Sequence, residues 1–333
     1  MRSELIHKIF LTGPDDFEPL ALAIFRYQYQ HNKVYREYCK AIHRPAEQVH
    51  QLTDIPFLPI RFFKSHAITT GTFEAETWFE SSGTTQTINS RHYVRSLELY
   101  QKNFMEGFRL FYGEPTDWCI IGLLPAYLER QHSSLVVMAD ALIKASGHAD
   151  SGFYLYDYER LHDTLSRLEA AGQPTLLLGV TFALLDFAEQ FPMALKHTVI
   201  METGGMKGRR KEMTRPELHA ILQSGLRGAR IHSEYGMTEL LSQAYSQDNG
   251  IFHCPPWMKV VLREEDDPFR LWAATPGDRK SLNGVINVID LVNIDSCAFI
   301  ATDDMGKLYP GGGFEVLGRL DNSDIRGCSL MVL

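Results

Sequence analysis

Apolar side chains recur at near-helical spacing through residues 15–50 (Leu20, Ile24, Tyr27, then Val34, Tyr35, Tyr38), which predicts an amphipathic helical N-terminal segment lying on a sheet. From about residue 90 onward, helical patterns alternate with short apolar runs. The spacing predicts helices over 93–111, 133–146, 158–171, 181–190 and 215–224, with strands at 118–124, 152–155, 175–178, 197–201 and 229–232. That alternation is the signature of βαβ units and a largely parallel sheet covered on both faces. After about 250 the pattern shifts to short runs, at 259–263, 269–272, 285–292 and 298–301, separated by Pro, Gly, Asp and Asn. These predict a smaller β-rich subdomain. The expected organisation is an α/β core over 1–250, a β subdomain over 251–320, and a short tail over 321–333.

Composition narrows the class. Of the 333 residues, 44% are hydrophobic and 22% charged, the balance of a folded globular chain rather than a disordered, collagen-like or coiled-coil one. Lysine and arginine number 33 against 41 acidic residues, a net charge of −8, and no basic block forms a phosphate-tracking stripe, so nucleic acid is not an expected partner. The longest apolar stretch, 176–188, is broken by Thr181 and Asp186 and falls short of the ~20 residues that a membrane span needs. Met1-Arg2-Ser3-Glu4 opens no apolar signal segment, so a cytoplasmic location is the default expectation. The five cysteines are scattered, with no Cys-x-x-Cys pair, and read as reduced thiols. The thirteen histidines form no zinc pair, and no Gly-x-Ser-x-Gly elbow supports a serine hydrolase.

Four segments carry possible chemistry. In Glu80-Ser81-Ser82-Gly83-Thr84-Thr85-Gln86, hydroxyls and freed backbone N–H groups around a glycine can surround phosphate oxygens, although a turn with a helix N-cap explains the same run. No lysine follows Gly83 as a Walker A loop requires. The second segment, His232-Ser233-Glu234-Tyr235-Gly236-Met237-Thr238-Glu239, follows a predicted strand, where open α/β sheets bind ligands. Tyr235 offers an aromatic face, Thr238 a hydroxyl and Glu239 a hard oxygen for Mg²⁺; the start of a capped helix is the competing reading. The third and fourth, Ala301-Thr302-Asp303-Asp304-Met305-Gly306 and Gly318-Arg319-Leu320-Asp321-Asn322-Ser323-Asp324-Ile325-Arg326-Gly327, can supply a ribose-binding acid and a phosphate-binding arginine, or be a turn and a hairpin end.

Taken in order, these segments resemble the successive signature motifs of the adenylate-forming enzymes, the superfamily of acyl-CoA synthetases and luciferases. Glu202-Thr203-Gly204-Gly205-Met206-Lys207-Gly208 and the stretch Leu124–Arg130 followed by Ser133-Ser134-Leu135 look most like the acyl-protein synthetase (LuxE) family, over roughly residues 75–330. The resemblance implies an adenylate-forming core and ATP-dependent activation of a carboxylic acid, of the fatty-acid class, as acyl-AMP. By similarity, Ser81, Ser82, Gly83, Thr84 and Thr85 would close over the β- and γ-phosphates, Gly204 and Gly205 would pass beside the base, and Tyr235 with Gly236 would bind adenine. Thr238 would meet the α-phosphate and Glu239 would hold Mg²⁺. Asp304 would take the ribose hydroxyls, with Asp303 where the family pattern has glycine. Arg319 would bind the ribose or phosphate region, and Asp321 would mark the hinge.

Two departures shape the remaining expectations. Only six residues follow Gly327, so the swinging C-terminal domain of the superfamily is expected to be absent together with its catalytic lysine, and Lys207 is the expected replacement, against the reading of a surface lysine. Cys328 in the tail resembles the C-terminal cysteine on which acyl-protein synthetases carry the acyl group, against the reading of an unremarkable tail thiol. The acyl acceptor is therefore expected to be a thiol: the chain's own cysteine with onward transfer to a protein, or alternatively coenzyme A or a carrier protein. A nucleotide-binding relative without chemistry is the third reading.

Overall fold

The N-terminal apolar stripe folds as helices Arg2–Ile9, Phe17–His31 and Lys33–Ala41. The second and third are separate because Asn32 takes an extended conformation and its side chain accepts from the Tyr35 backbone N–H at 3.0 Å, capping the new helix. The computed structural model describes residues 1–81, 88–125, 132–204, 213–274 and 280–320. These divide into two compact units. One holds Met1–Asn103, Met237–Gln243 and the described residues from His253 onward; the other holds Phe104–Gly236 and Ala244–Phe252.

The division differs from a single cut near residue 250, and packing explains why. In the first unit, a mostly antiparallel sheet runs in the order Leu58–Pro59, Phe299–Leu308, Leu282–Asp290, Met258–Arg263, Leu271–Trp272, with Phe314–Arg319 also paired to Phe299–Leu308. Phe299 sits among the buried rings of Phe25, Tyr35 and Phe57 at centroid distances of 6.1–6.2 Å, so the N-terminal helices complete the core of the C-terminal sheet. Gln28, buried at that contact, donates to the carbonyls of Asn293 and Ile294 and accepts from the Ala298 N–H. A glutamine satisfied on both ends fixes the helix against one stretch of backbone.

The second unit is the predicted βαβ region. Its sheet runs Ala244–Ser246, Arg230–Tyr235, Thr198–Thr203, Thr175–Val180, Cys119–Leu123, Gly152–Phe153, parallel except for the antiparallel edge strand Ala244–Ser246. Thr175–Val180 and Thr198–Thr203 are buried along their whole length, as expected for strands covered on both faces. The helices Ser134–Ser146, Tyr158–Ala171, Thr181–Gln190 and Arg215–Gly225 fall where the sequence pattern places them.

Three elements differ from the sequence reading. Residues 91–94 form a strand, Arg91–Val94, paired with Thr77–Glu80, and the helix begins only at Leu97. Phe314–Arg319 is a strand that the pattern missed, because six residues after a glycine run, with Gly318 among them, give too short an alternation to count. Asp304, read as part of a turn, lies inside the strand Phe299–Leu308.

Candidate active site

The serine/threonine segment connects the two strands of a β-ribbon. Thr77–Glu80 and Arg91–Val94 pair in register, and Ser81 closes the described end of the ribbon: its N–H donates to the Ser90 carbonyl at 3.1 Å and its Oγ accepts from the Ser90 N–H at 2.9 Å. Phe79, on the buried face, packs edge-on against Tyr100 at 5.0 Å and anchors the ribbon. Ser82, Gly83, Thr84 and Thr85 lie outside the described residues, as do Gly205, Lys207, Asp321 and Cys328.

In the second unit, Gly204 and Tyr235 stand at the C-terminal ends of neighbouring parallel strands, Thr198–Thr203 and Arg230–Tyr235. Gly204 has φ +72°, a conformation that glycine alone adopts at little cost, and its carbonyl accepts from Thr181 Oγ1 at 3.3 Å. Tyr235 is the last strand residue rather than a loop residue, because pairing with Ala244 extends the strand past His232. It is buried against Phe252, with centroids 5.8 Å apart. Gly236 follows on the surface.

The residues preceding Tyr235 form a buried network, and the sequence reading, which quoted their segments, gave Glu202 and Glu234 no role. Glu202 is held by Arg215 Nε at 3.1 Å, with His219 Nε2 at 3.8 Å. Burial by itself would raise this carboxyl; hydrogen bonding from His219 and the charge of Arg215 outweigh it and hold Glu202 below the usual range. Glu234 accepts from Thr203 Oγ1, and among the described residues no ion pair holds it. Burial, with the charge of Glu202 added, pushes its carboxyl up to about 7. Two glutamates on adjacent strands thus take opposite protonation tendencies.

In the first unit, Thr238 and Glu239 occupy a turn, and no helix begins there. Side chains from four positions clamp this segment. His92 Nδ1 meets the Thr238 carbonyl at 2.9 Å; Asn293 Nδ2 donates to the Glu239 carbonyl at 2.8 Å; Asn103 Nδ2 donates to the Leu241 carbonyl at 2.5 Å. Asp290 accepts from the N–H groups of Leu241 and Ser242 at 2.8 Å each, and from Ser242 Oγ at 2.6 Å. Glu239 itself is fully buried, at 0% exposure. Burial draws His92 down to about 4, so the imidazole beside this carboxylate is neutral near pH 7. A carboxylate with a neutral neighbour is a hard-oxygen donor suited to Mg²⁺.

Asp304 and Arg319 are brought together. They are cross-strand partners, with Arg319 Nε 3.5 Å from Asp304 Oδ1 and Nη2 3.7 Å from Asp303 Oδ2. Their strands come from segments that look unrelated in the sequence, and pairing makes one charged pair of them. Among the described cysteines, burial pushes Cys39 and Cys254 up to about 12, Cys119 up to about 11, and Cys297 higher still; none is a thiolate near neutral pH.

Residues 16–101 match the family model described as Acyl-protein synthetase, LuxE. The chain is also 24% identical over 364 aligned positions, 98% of its own length and 93% of the relative's, to the long-chain-fatty-acid–luciferin-component ligase of Aliivibrio fischeri. In these stretches the chain is similar to the LuxE acyl-protein synthetases. The enzyme of the same name from Photorhabdus luminescens is 41% identical over 66 residues, 20% of this chain and 56% of that relative. The O-succinylbenzoate coenzyme A synthetase of Bacillus subtilis, solved in complex with ATP and magnesium ion, superposes with a TM-score of 0.50 at 16% identity, covering 76% of this chain. The α/β adenylate-forming fold expected from the sequence is therefore the fold found. The chain spans about half the length of that solved structure, 52%.

The matched segment 16–101 takes in helices that complete the first unit's core and the ribbon that ends at Ser81. His92, Asn103, Asp290 and Asn293 carry no local motif. Only their shared approach to residues 238–242 identifies them as positioning residues. No helix among the described residues is long and apolar enough to cross a membrane.

Proposed function

We propose that this chain activates a long-chain carboxylic acid with ATP and passes the acyl group to a thiol. The observation that carries the reading is its relatedness, over 98% of its length, to a ligase named for long-chain fatty acids. The clamped Thr238-Glu239 turn and the Asp304–Arg319 pair support it, because each holds a motif residue at a fixed place in its unit.

In the proposed reaction, an oxygen of the acid attacks the α-phosphorus of ATP, the bond to pyrophosphate breaks, and acyl-AMP forms. Thr238 donates to the α-phosphate, and Glu239 would hold Mg²⁺, whose charge would offset that of the phosphates. Asp304 accepts from the ribose hydroxyls, and Arg319 balances charge beside it. Tyr235 and Gly204 flank adenine, with Gly236 and Gly205 next to them in the chain. The hydroxyls of Ser81, Ser82, Thr84 and Thr85, with Gly83, hold the outer phosphates, and Lys207 balances the charge developing at phosphorus. A thiol sulfur then attacks the acyl carbon, AMP leaves, and a thioester remains. Cys328 is the assigned sulfur, with a partner protein as the onward acceptor.

Exchange of labelled pyrophosphate into ATP, screened across carboxylic acids, tests the first half: acid-dependent exchange strongest for long chains is expected, and no exchange with any acid refutes it. Cys328→Ser tests the second half. It is expected to keep exchange and lose the acylated protein; an unchanged rate of thioester formation removes Cys328 from the pathway. Acyl-AMP turnover that requires coenzyme A identifies that acceptor instead.

A further inference from the structure

In the first unit, the strands Leu282–Asp290 and Phe299–Leu308 fall out of step. Asn287 lies opposite Ala301 and Val285 opposite Met305, so that Ile286 alone faces Thr302, Asp303 and Asp304. The extra residues arch away from the ladder as a bulge. A bulge re-aims side chains and leaves backbone polar groups without strand partners. Both Asp303 and Asp304 stand on this arch.

A side chain takes the place of the missing ladder. Arg263, at the end of the neighbouring strand Met258–Arg263, is only 9% exposed and reaches across Leu282–Asp290. Its Nη1 donates to the Ile286 carbonyl at 3.2 Å and to Asn287 Oδ1 at 2.5 Å, and its Nη2 to the Thr302 carbonyl at 2.6 Å. One guanidinium thereby joins both sides of the bulge, which a planar fork of donors can do and a point charge cannot. Thr302, buried beside it, completes the link: its Oγ1 donates to the same Ile286 carbonyl at 2.7 Å and accepts from the Asp304 N–H at 3.1 Å. The Asp303 carbonyl accepts from the Leu320 N–H at 2.9 Å, which ties the arch to the residue after Arg319.

Burying a guanidinium among carbonyls is a costly way to build a core. Burial draws Arg263 down to about 10, against the charges of Asp303, Tyr38 and Asp304. The carboxylates of the arch help to keep Arg263 charged, and Arg263 in turn holds the backbone that carries them.

We propose that Arg263 is a positioning residue: its guanidinium, together with Thr302 Oγ1, pins the bulge 302–304 and so fixes where the Asp304 carboxylate stands. The consequence for nucleotide rests on the reading of Asp304 as the acid that takes the ribose hydroxyls; the pin itself does not. Two measurements on the full-length protein separate them. Hydrogen–deuterium exchange without nucleotide reads the pin: Arg263→Met and Thr302→Val are each expected to speed deuterium uptake in the segment 299–308 about tenfold or more, with Thr175–Val180 unchanged. Labelled pyrophosphate exchange into ATP and into 2′,3′-dideoxy-ATP reads the consequence. The wild type is expected to favour ATP about tenfold or more in KM. Asp304→Asn, Arg263→Met and Thr302→Val should each erase most of that preference with kcat kept within about twofold. Combining Arg263→Met with Asp304→Asn should erase no more than either alone, because both act on one carboxylate. Unchanged deuterium uptake in both variants overturns the pin. Loss of kcat, or an equal rise in both KM values, in Arg263→Met marks a merely structural residue and overturns the positioning role. Faster deuterium uptake with an ATP preference that Asp304→Asn leaves intact refutes the ribose reading and supports the pin. Where Arg263→Met fails to fold, Thr302→Val and Arg263→Lys, which keeps the charge without the fork, decide.

Discussion

Glu234 offers a quantitative test of how the second unit is built. Its carboxyl is raised from the ordinary 4.5 to about 7 by burial, with the charge of Glu202 adding to the effect. Below pH 4.5 the carboxyl is protonated in both folded and unfolded chains and contributes no pH dependence. Between 4.5 and 7 the unfolded chain releases the proton while the folded chain keeps it, so the folded state loses stability as pH rises, levelling off above 7. At ~1.4 kcal/mol for each pH unit of separation, the whole loss is about 3 kcal/mol. Glu234→Gln keeps the shape and an acceptor for Thr203 Oγ1 but removes the titration. His92 and His232, both drawn down to about 4 by burial, act oppositely, costing stability as pH falls below 6.5. They are present in both proteins and cancel in the difference. Urea denaturation at pH 5 and pH 8 should show the wild type losing about 2–3 kcal/mol relative to Glu234→Gln over that range. A flat difference, or a wild type that gains on the variant as pH rises, refutes the reasoning about that buried carboxyl.

Further predictions concern the proposed chemistry and the core. Glu239→Gln should lower acid-dependent pyrophosphate exchange by about a hundredfold or more, with little change in unfolding midpoint; unaltered exchange across a magnesium titration removes Glu239 from the metal. Asp304→Asn should raise the KM for ATP about tenfold. It should cost less than about 1 kcal/mol of stability, because Arg319 retains Asp303; an unchanged KM takes Asp304 out of nucleotide binding. Phe299→Ala should cost about 3–5 kcal/mol in denaturant unfolding, since the ring fills the space among Phe25, Tyr35 and Phe57. A loss under about 1 kcal/mol would mean that the N-terminal helices do not depend on that contact.

The βαβ half was legible because periodicity is local. Each strand that is buried on both faces writes a continuous apolar run, and each helix writes a stripe, so Thr181–Gln190 could be delimited by its pattern alone. The motif residues were legible for a different reason: their order along the chain, not any one segment, carries the resemblance. Sequence also determined which side chains are available, among them Glu239 and the Asp304 and Arg319 that form a pair.

Only the tertiary structure decided which of them meet. That Asp304 lies opposite Arg319 depends on strand register, and register is set by pairing and by the irregularity at Met305/Gly306. The clamp on residues 238–242 comes from His92, Asn103, Asp290 and Asn293, positions as much as 146 residues from the backbone they hold. Whether Glu234 is an ordinary acid or one raised to about 7 depends on burial and on the charge of Glu202 nearby, neither of which a linear pattern encodes. The first unit draws on both ends of the chain because its sheet needs the N-terminal helices to cover Phe299. Local pattern specifies the elements; desolvation and long-range packing, which act between residues far apart in the chain, decide what they do together.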